Sequence, residues 1–252
     1  PEAEALFEEL DPDGWLASRS DGPLAFLEGV APERLRQAAA SSEYTAKVEQ
    51  VHSAFRRYMS TSRAAEIGYF SMEFGLAPHV HIYSGGLGML AGDHIKTASD
   101  QNLPLCAVGL AYKHGYFRQR INAAGEQEEL ADTNNFLALG AEIVRHEGQP
   151  LILDVAFPGR TVAVRAWKLQ VGRIPLYLLD TDCDANRAED RSITDHLYGG
   201  DSVHRVQQEM ILGVGGYALL RRLGFDERVY HLNEWHSAFL ILARLRHLIQ
   251  VR

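Results

Sequence analysis

Two short apolar runs, residues 67–70 and 104–110, bracket a stretch of helical spacing (Leu87, Leu90, Ile95, Ala98) that opens on a glycine cluster, Ser84-Gly85-Gly86-Leu87-Gly88. Strand, helix and strand in that order form a right-handed βαβ unit, because two parallel strands can be joined only by a crossover. The chain is therefore committed to an α/β fold with a parallel sheet, and ligands on such sheets sit beyond the strand C-termini. Glu73 follows the first run closely, so a carboxylate and the glycine cluster are expected on one edge. Glycine at a helix start leaves backbone N–H groups accessible and is expected to allow positive φ and close approach of a phosphate or sugar.

Two plainer readings compete with an anion site. Glycines at a strand-to-helix junction also serve tight turns and close packing. Gly86, Gly88 and Ala91 fit the G-x-G-x-x-A dinucleotide fingerprint, but the nearest strand lies well upstream and residues 105–110 end without an acid for a ribose. Nicotinamide binding is therefore disfavoured.

The chain of 252 residues, 46% hydrophobic and 23% charged, has a globular composition. A formal charge of −8 argues against nucleic acid as the main partner and favours small neutral or singly phosphorylated substrates. Cys106 and Cys183 are the two cysteines and have no C-x-x-C spacing, so neither a disulfide framework nor a zinc ribbon is expected. No apolar run is long enough for a bilayer, and the acidic start PEAEALFEELD lacks the features of a signal peptide, so a cytoplasmic protein is expected. The last residues, FLILARLRHLIQVR, are strongly helical and carry no stop signal, as expected for a longer polypeptide that has been cut.

Residues 1–62 are expected to form an N-terminal helical region. Turns at DPDG and SDGP separate small helices, and the segment 32–59 places Val48, Val51, Phe55, Tyr58 and Met59 on one stripe. Packing against the sheet is the plain role of this layer; regulation or contact with a second copy in a homo-oligomer is the other. Residues 63–252 are expected to form an incomplete Rossmann-like domain with an antiparallel β lobe at about 150–180, where LILDVAF, RTVAVRAWKLQV and IPLYLLD alternate around turns. Trp167 is assigned to the core rather than to sugar stacking. Asp180, Asp182 and Asp184 imitate a calcium loop, but Ala185 and Arg191 stand where its glycine and glutamate belong, so calcium is rejected.

The segment 201–223 places Val203, Val206, Met210, Val214 and Tyr217 on one helical face, expected to be buried, with Gly213, Gly215 and Gly216 admitting a neighbouring backbone. Arg205 and Glu209 lie one turn apart; Arg205 is either half of a surface pair or a site-shaping residue. Finally, the strand-to-helix segment Val229 to His236 brings Asn233, Glu234 and His236 to another strand C-terminus. Its histidine spacing is not that of H-E-x-x-H, and its polar groups suit sugar hydroxyls, although Asn233 also reads as a helix N-cap.

The stretches SMEFGL (71–76), IYSGGLGMLAGDHIKTASD (82–100), VGLAYKHGYFRQ (108–119), LYGGD (197–201) and VYHLNEWHSAF (229–239) resemble the α-glucan phosphorylases, most closely their shorter bacterial branch, along nearly the whole chain. That resemblance implies the N-terminal half of a GT-B architecture, α-1,4-glucan and phosphate as substrates, and pyridoxal phosphate as cofactor. It assigns Gly85, Gly86 and Leu87, with Gly88, to the phosphate and cofactor side, and Glu73, Glu234 and His236 to a glucose pocket. The family's cofactor lysine and main phosphate-binding residues belong to a C-terminal domain missing here, so no covalent cofactor and no complete catalytic set is expected in this chain. Trp235 departs from the glycine usual in the bacterial branch, and the sequence leaves open whether it blocks the pocket, stacks on sugar or faces the core. A glucan synthase with a similar glycine loop, and a non-catalytic glucan-binding or assembly module, are the alternatives. The shared premise is that the glycine amides border one recess with the acid and imidazole of the last strand.

Overall fold

The computed structural model describes residues 2–18, 20–61, 63–130, 133–225 and 228–250. The boundary expected at Ser62 and the last two residues of the terminal helix, Val251 and Arg252, lie outside them. The chain opens with α1 (Glu2–Leu10), α2 (Pro12–Ser18), α3 (Pro23–Gly29), α4 (Pro32–Ala40) and α5 (Ser42–Met59). Proline begins α2, α3 and α4, where its missing N–H costs nothing and its fixed φ suits the first turn. Trp15, Phe26 and Val30 form a small separate core, with the Trp15 and Phe26 rings 5.3 Å apart and edge-on.

The single helical segment expected over 32–59 is two helices. Ser41 accepts a bond from the Tyr44 N–H at 3.2 Å and so ends α4 while capping α5. No residue of α5 is buried, and Val48 and Phe55 on the expected stripe are exposed. The helix is instead held at its C-terminal end. The Arg173 guanidinium lies 3.6 Å from the Tyr58 ring centre, with Nε donating to the Tyr58 carbonyl at 2.6 Å and Nη1 to the Ser99 carbonyl at 2.7 Å.

The next elements are β1 (Ile67–Phe70), α6 (Gly86–Asp100) and β2 (Leu105–Leu110), the βαβ unit read from the sequence. Short strands follow: β3 (Arg118–Ile121) with β4 (Gln127–Leu130), then β5 (Glu142–Ile143), and β6 (Arg145–His146) with β7 (Gln149–Pro150). Then come β8 (Ile152–Phe157), β9 (Arg160–Val171), β10 (Ile174–Asp180), the single turn α7 (Ala188–Arg191), α8 (Ser202–Met210), α9 (Gly216–Arg222), β11 (Val229–Leu232) and α10 (Phe239–Gln250).

One seven-stranded sheet has the order β11-β1-β2-β10-β9-β5, with β8 also on β9. Its strands β11, β1, β2 and β10 run parallel, and β9 turns the sheet antiparallel. All of β2 is buried, as a central parallel strand covered on both faces requires. The strand β8 alternates buried and exposed, the mark of one wet face. The antiparallel strands expected as a lobe are thus continuous with the parallel sheet, because β10 pairs with β2 on one side and β9 on the other. Trp167 is core: it stacks on Phe136 at 5.6 Å and donates to Asp180 Oδ2 at 2.9 Å. Asp180 and Asp182 are engaged by arginine, Arg165 on the first at 2.8 Å and Arg191 on the second at 2.6 Å.

The face expected to be buried over 201–223 is corrected. Val203 and Val206 are exposed, whereas Tyr217 of the expected face is buried and Met210 and Val214 pack against the core; Gln208, Ile211, Leu212, Leu219 and Leu220 are buried as well, because a π-helical stretch, Ile211–Gly215, shifts the register between α8 and α9. Close backbone approach at the glycines does occur, since a Cβ on Gly213 would lie 2.7 Å from the Leu240 amide nitrogen at the start of α10.

Candidate functional site

The chain passes from β1 to β2 on one side and later returns to the other side of β1 as β11. The strand order therefore reverses between β1 and β11, where an open α/β sheet leaves a crevice at its C-terminal edge. Glu73 leaves β1 at that edge, and Asn233, Glu234 and His236 leave β11.

Glu73 is only 2% exposed. Its carboxylate accepts from the Ser84 N–H at 2.7 Å, more weakly from the Gly85 N–H at 3.4 Å, and from the Tyr198 hydroxyl. A buried carboxylate needs such donors, and the loop before α6 supplies them. At the start of the cluster, then, the Ser84 amide and, weakly, the Gly85 amide serve an internal anion. The expectation of positive φ is corrected, since Gly85 is extended at φ −152 and none of Gly85, Gly86 and Gly88 is among the positive-φ residues. Gly88 is needed for packing, because a Cβ there would lie 2.4 Å from the Tyr83 Cβ and 2.9 Å from Glu73 Oε2. Gly85 and Gly86 are exposed and face open space, while Leu87 is half-buried behind them.

Beyond Tyr198 the cluster continues into α8. The Arg205 guanidinium sits 4.9 Å from the Tyr198 ring centre, approaches Glu209 at 3.6 Å, and donates through Nη2 to His236 Nε2 at 2.9 Å. Arg205 therefore makes the expected approach to Glu209 and also contacts His236 and Tyr198. Because Nε2 accepts, the neutral imidazole carries its proton on Nδ1, a buried atom without a hydrogen-bond partner among the described residues. Burial first, and then the Arg205 charge, hold the His236 pKa below its ordinary value against the pull of Glu234, Glu209 and Glu73. Burial and the Glu73 carboxylate push the Tyr198 phenol well up, so it stays a donor.

Asn233 is not a helix cap here. Its Nδ2 donates to Ser71 Oγ at 3.1 Å and its backbone N–H to the Phe70 carbonyl at 2.8 Å, while Ser71 Oγ donates to the Glu73 carbonyl at 2.9 Å. Asn233 thereby ties β11 to the turn that carries Glu73. Glu234 is exposed, in the left-handed region at φ 61, and close enough to act on both Tyr198 and His236.

Glu73, Gly85, Arg205, Asn233 and His236 accordingly form one connected cluster, with Gly86, Leu87 and Glu234 at its rim. Tyr198 and Ser71 join it without having been singled out from the sequence. Each lies inside a stretch that carried the resemblance, LYGGD and SMEFGL, but nothing local marks either as a partner of Glu73. The only lysines, Lys47, Lys96, Lys113 and Lys168, form no hydrogen bond to this cluster among the described residues. Lys47 serves Glu9 and Glu43, and Lys96 reaches the Gly75 carbonyl.

Comparison with known proteins places the chain in a family. The chain is 41% identical over 96% of its length to a maltodextrin phosphorylase of Thermococcus litoralis, covering 30% of that protein. The chain is a homologue of the α-glucan phosphorylases. A glycogen phosphorylase of Mycobacterium tuberculosis is 39% identical over 97% of this phosphorylase homologue, and one of Aquifex aeolicus is 34% identical over 99%. The homologue spans about a third of the length of these relatives, 31% and 37% respectively. Residues 1–80 also match a family described as a protein of unknown function, DUF3417. Among the described residues no helix is long and apolar enough to cross a membrane.

Proposed function

We propose that this phosphorylase homologue is the N-terminal part of an α-1,4-glucan phosphorylase, forming the glucose and phosphate side of its cleft in the cytoplasm. The observation that carries the reading is end-to-end similarity to maltodextrin and glycogen phosphorylases. The cluster at the β1/β11 crossover supports it, because the acid of Glu234, the Tyr198 hydroxyl and the Arg205–His236 pair suit the hydroxyls of a neutral sugar. In this reading Glu73 holds the glycine loop in place, so that the exposed Gly85 and Gly86 let phosphate or sugar approach the start of α6. Residues 1–62 form the helical region and residues 63–252 part of a Rossmann-like GT-B half.

Pyridoxal phosphate, the cofactor that the family implies, would supply acid–base chemistry through its phosphate group in the complete protein. The residues here do not fit its covalent attachment, since no lysine joins the cluster. The family resemblance assigns the lysine and the complementary phosphate ligands to a C-terminal domain outside the residues of this chain.

The test is phosphorolysis of maltodextrin with inorganic phosphate and added pyridoxal phosphate, reading glucose 1-phosphate. The chain alone is expected to be inert, and a polypeptide extended to the length of the relatives active. Activity in the chain alone refutes its incompleteness; turnover of a sugar nucleotide by the extended form refutes the phosphorylase reading.

A further inference from the structure

Trp235 leaves 70% of its surface exposed, whereas Asn233 and His236 on either side of it are buried. Its backbone is held on both sides. Asn233 is bonded to Phe70 and Ser71, the Trp235 carbonyl accepts from the Ala238 N–H at 2.8 Å, and His236 accepts from Arg205. The left-handed Glu234 turns the chain immediately before it. An indole kept in water on a rigid stem forgoes the hydrophobic stabilisation that burial would bring. It therefore offers a flat apolar face to solvent, next in sequence to the exposed Glu234 and with its ring centre 6.0 Å from the His236 ring.

A pyranose matches that surface: its C–H face lies on the ring while its hydroxyls donate to Glu234. A nucleobase also stacks on indole, but its phosphates would meet the Glu234 carboxylate on a protein of formal charge −8. We propose that Trp235 is the stacking platform for a glucosyl residue of the α-glucan, and so a specificity contact of the candidate site. The proposal rests on the glucan reading above. It also selects among the three possibilities that the sequence left open for this side chain.

The test is a titration of the chain, and of its Trp235→Ala and Trp235→Phe variants, with maltoheptaose by calorimetry and by acrylamide quenching of fluorescence. Trp15 and Trp167 are each only 9% exposed, so collisional quenching reports chiefly on Trp235. Saturating sugar is expected to protect Trp235 from acrylamide. Trp235→Ala is expected to bind about tenfold more weakly, the value of one aromatic contact, with Trp235→Phe in between. Matching thermal midpoints of the three proteins show that the exposed substitution leaves the fold unchanged.

Undiminished binding by Trp235→Ala, or equal quenching with and without sugar, overturns the stacking role while leaving the glucan reading intact if the parent chain binds. Protection by a nucleoside monophosphate and not by maltoheptaose overturns the choice of ligand. Absence of any maltoheptaose binding to the parent chain overturns the stacking role, and phosphorolysis by the extended polypeptide then decides the glucan reading on its own.

Discussion

Replacing Glu73 by alanine should be the most informative change to the cluster. The carboxylate serves two well-placed donors, the Ser84 N–H at 2.7 Å and the Tyr198 hydroxyl, and a weaker one, the Gly85 N–H at 3.4 Å. Hydrogen bonds to a charged group contribute about 1.5–3 kcal/mol each, so the two strong ones give roughly 3–6 kcal/mol. Gly85 is exposed, and water replaces its lost bond. Against this, alanine relieves the desolvation of a carboxylate that is only 2% exposed, which offsets part of the loss. The expected net destabilisation is about 3 kcal/mol. Glu73→Gln keeps an oxygen for the Ser84 N–H and lets its amide donate to the Tyr198 oxygen, so it should cost about 1–2 kcal/mol. Urea unfolding followed by circular dichroism measures both, provided that the m values agree. Alanine also empties the loop amides, so inorganic phosphate should raise the midpoint of Glu73→Ala more than that of the parent chain. A cost for alanine below about 1 kcal/mol, or equal costs for alanine and glutamine, would refute the clamp.

Two further outcomes follow from the packing and the histidines. Gly92→Ala places a Cβ 2.0 Å from the Gly75 carbonyl oxygen, a backbone atom that cannot swing aside. Despite a helix-propensity gain of about 1 kcal/mol the variant should lose roughly 2 kcal/mol or more, whereas Gly86→Ala, facing open space, should be near neutral; comparable unfolding midpoints for the two would contradict the close approach of α6 to the Glu73 segment. On pH, His79, His94, His114 and His236 all have pKa values lowered chiefly by burial. The unfolded chain therefore binds more protons than the fold just below the ordinary histidine pKa of about 6.5, so the histidine contribution is present above that pH and lost as pH falls through the lowered values. Denaturation midpoints should decline between pH 7.5 and 5, and a flat or rising profile counts against it.

The α/β class, the β1-α6-β2 unit and the arrival of Glu73 and Asn233 at strand C-termini were legible in the sequence, because apolar periodicity and the parallel-crossover rule act over neighbouring residues. The antiparallel strands of residues 152–180 were legible for the same reason. Periodicity names a face without naming its neighbour, however. It grouped Val203 and Val206 with Tyr217, and the π-helical turn between them put the first two in water. It likewise placed Phe55 on an inward stripe, although Phe55 is exposed and α5 is held through Tyr58 against Arg173 and through Tyr44 and Lys47 against α1.

At the candidate site the division is sharper. The residue types and their arrival at strand ends came from the sequence, and so did the similarity that sets the family. Which donor meets which acceptor was decided by tertiary contact: Tyr198 reaches Glu73 across 125 residues and Arg205 reaches His236 across 31. No local pattern encodes such pairs, because the free energy of burying a carboxylate is balanced by whichever donors the fold brings to it. For that reason the Ser84 and Gly85 amides hold Glu73, an assignment that no stretch of sequence spells out.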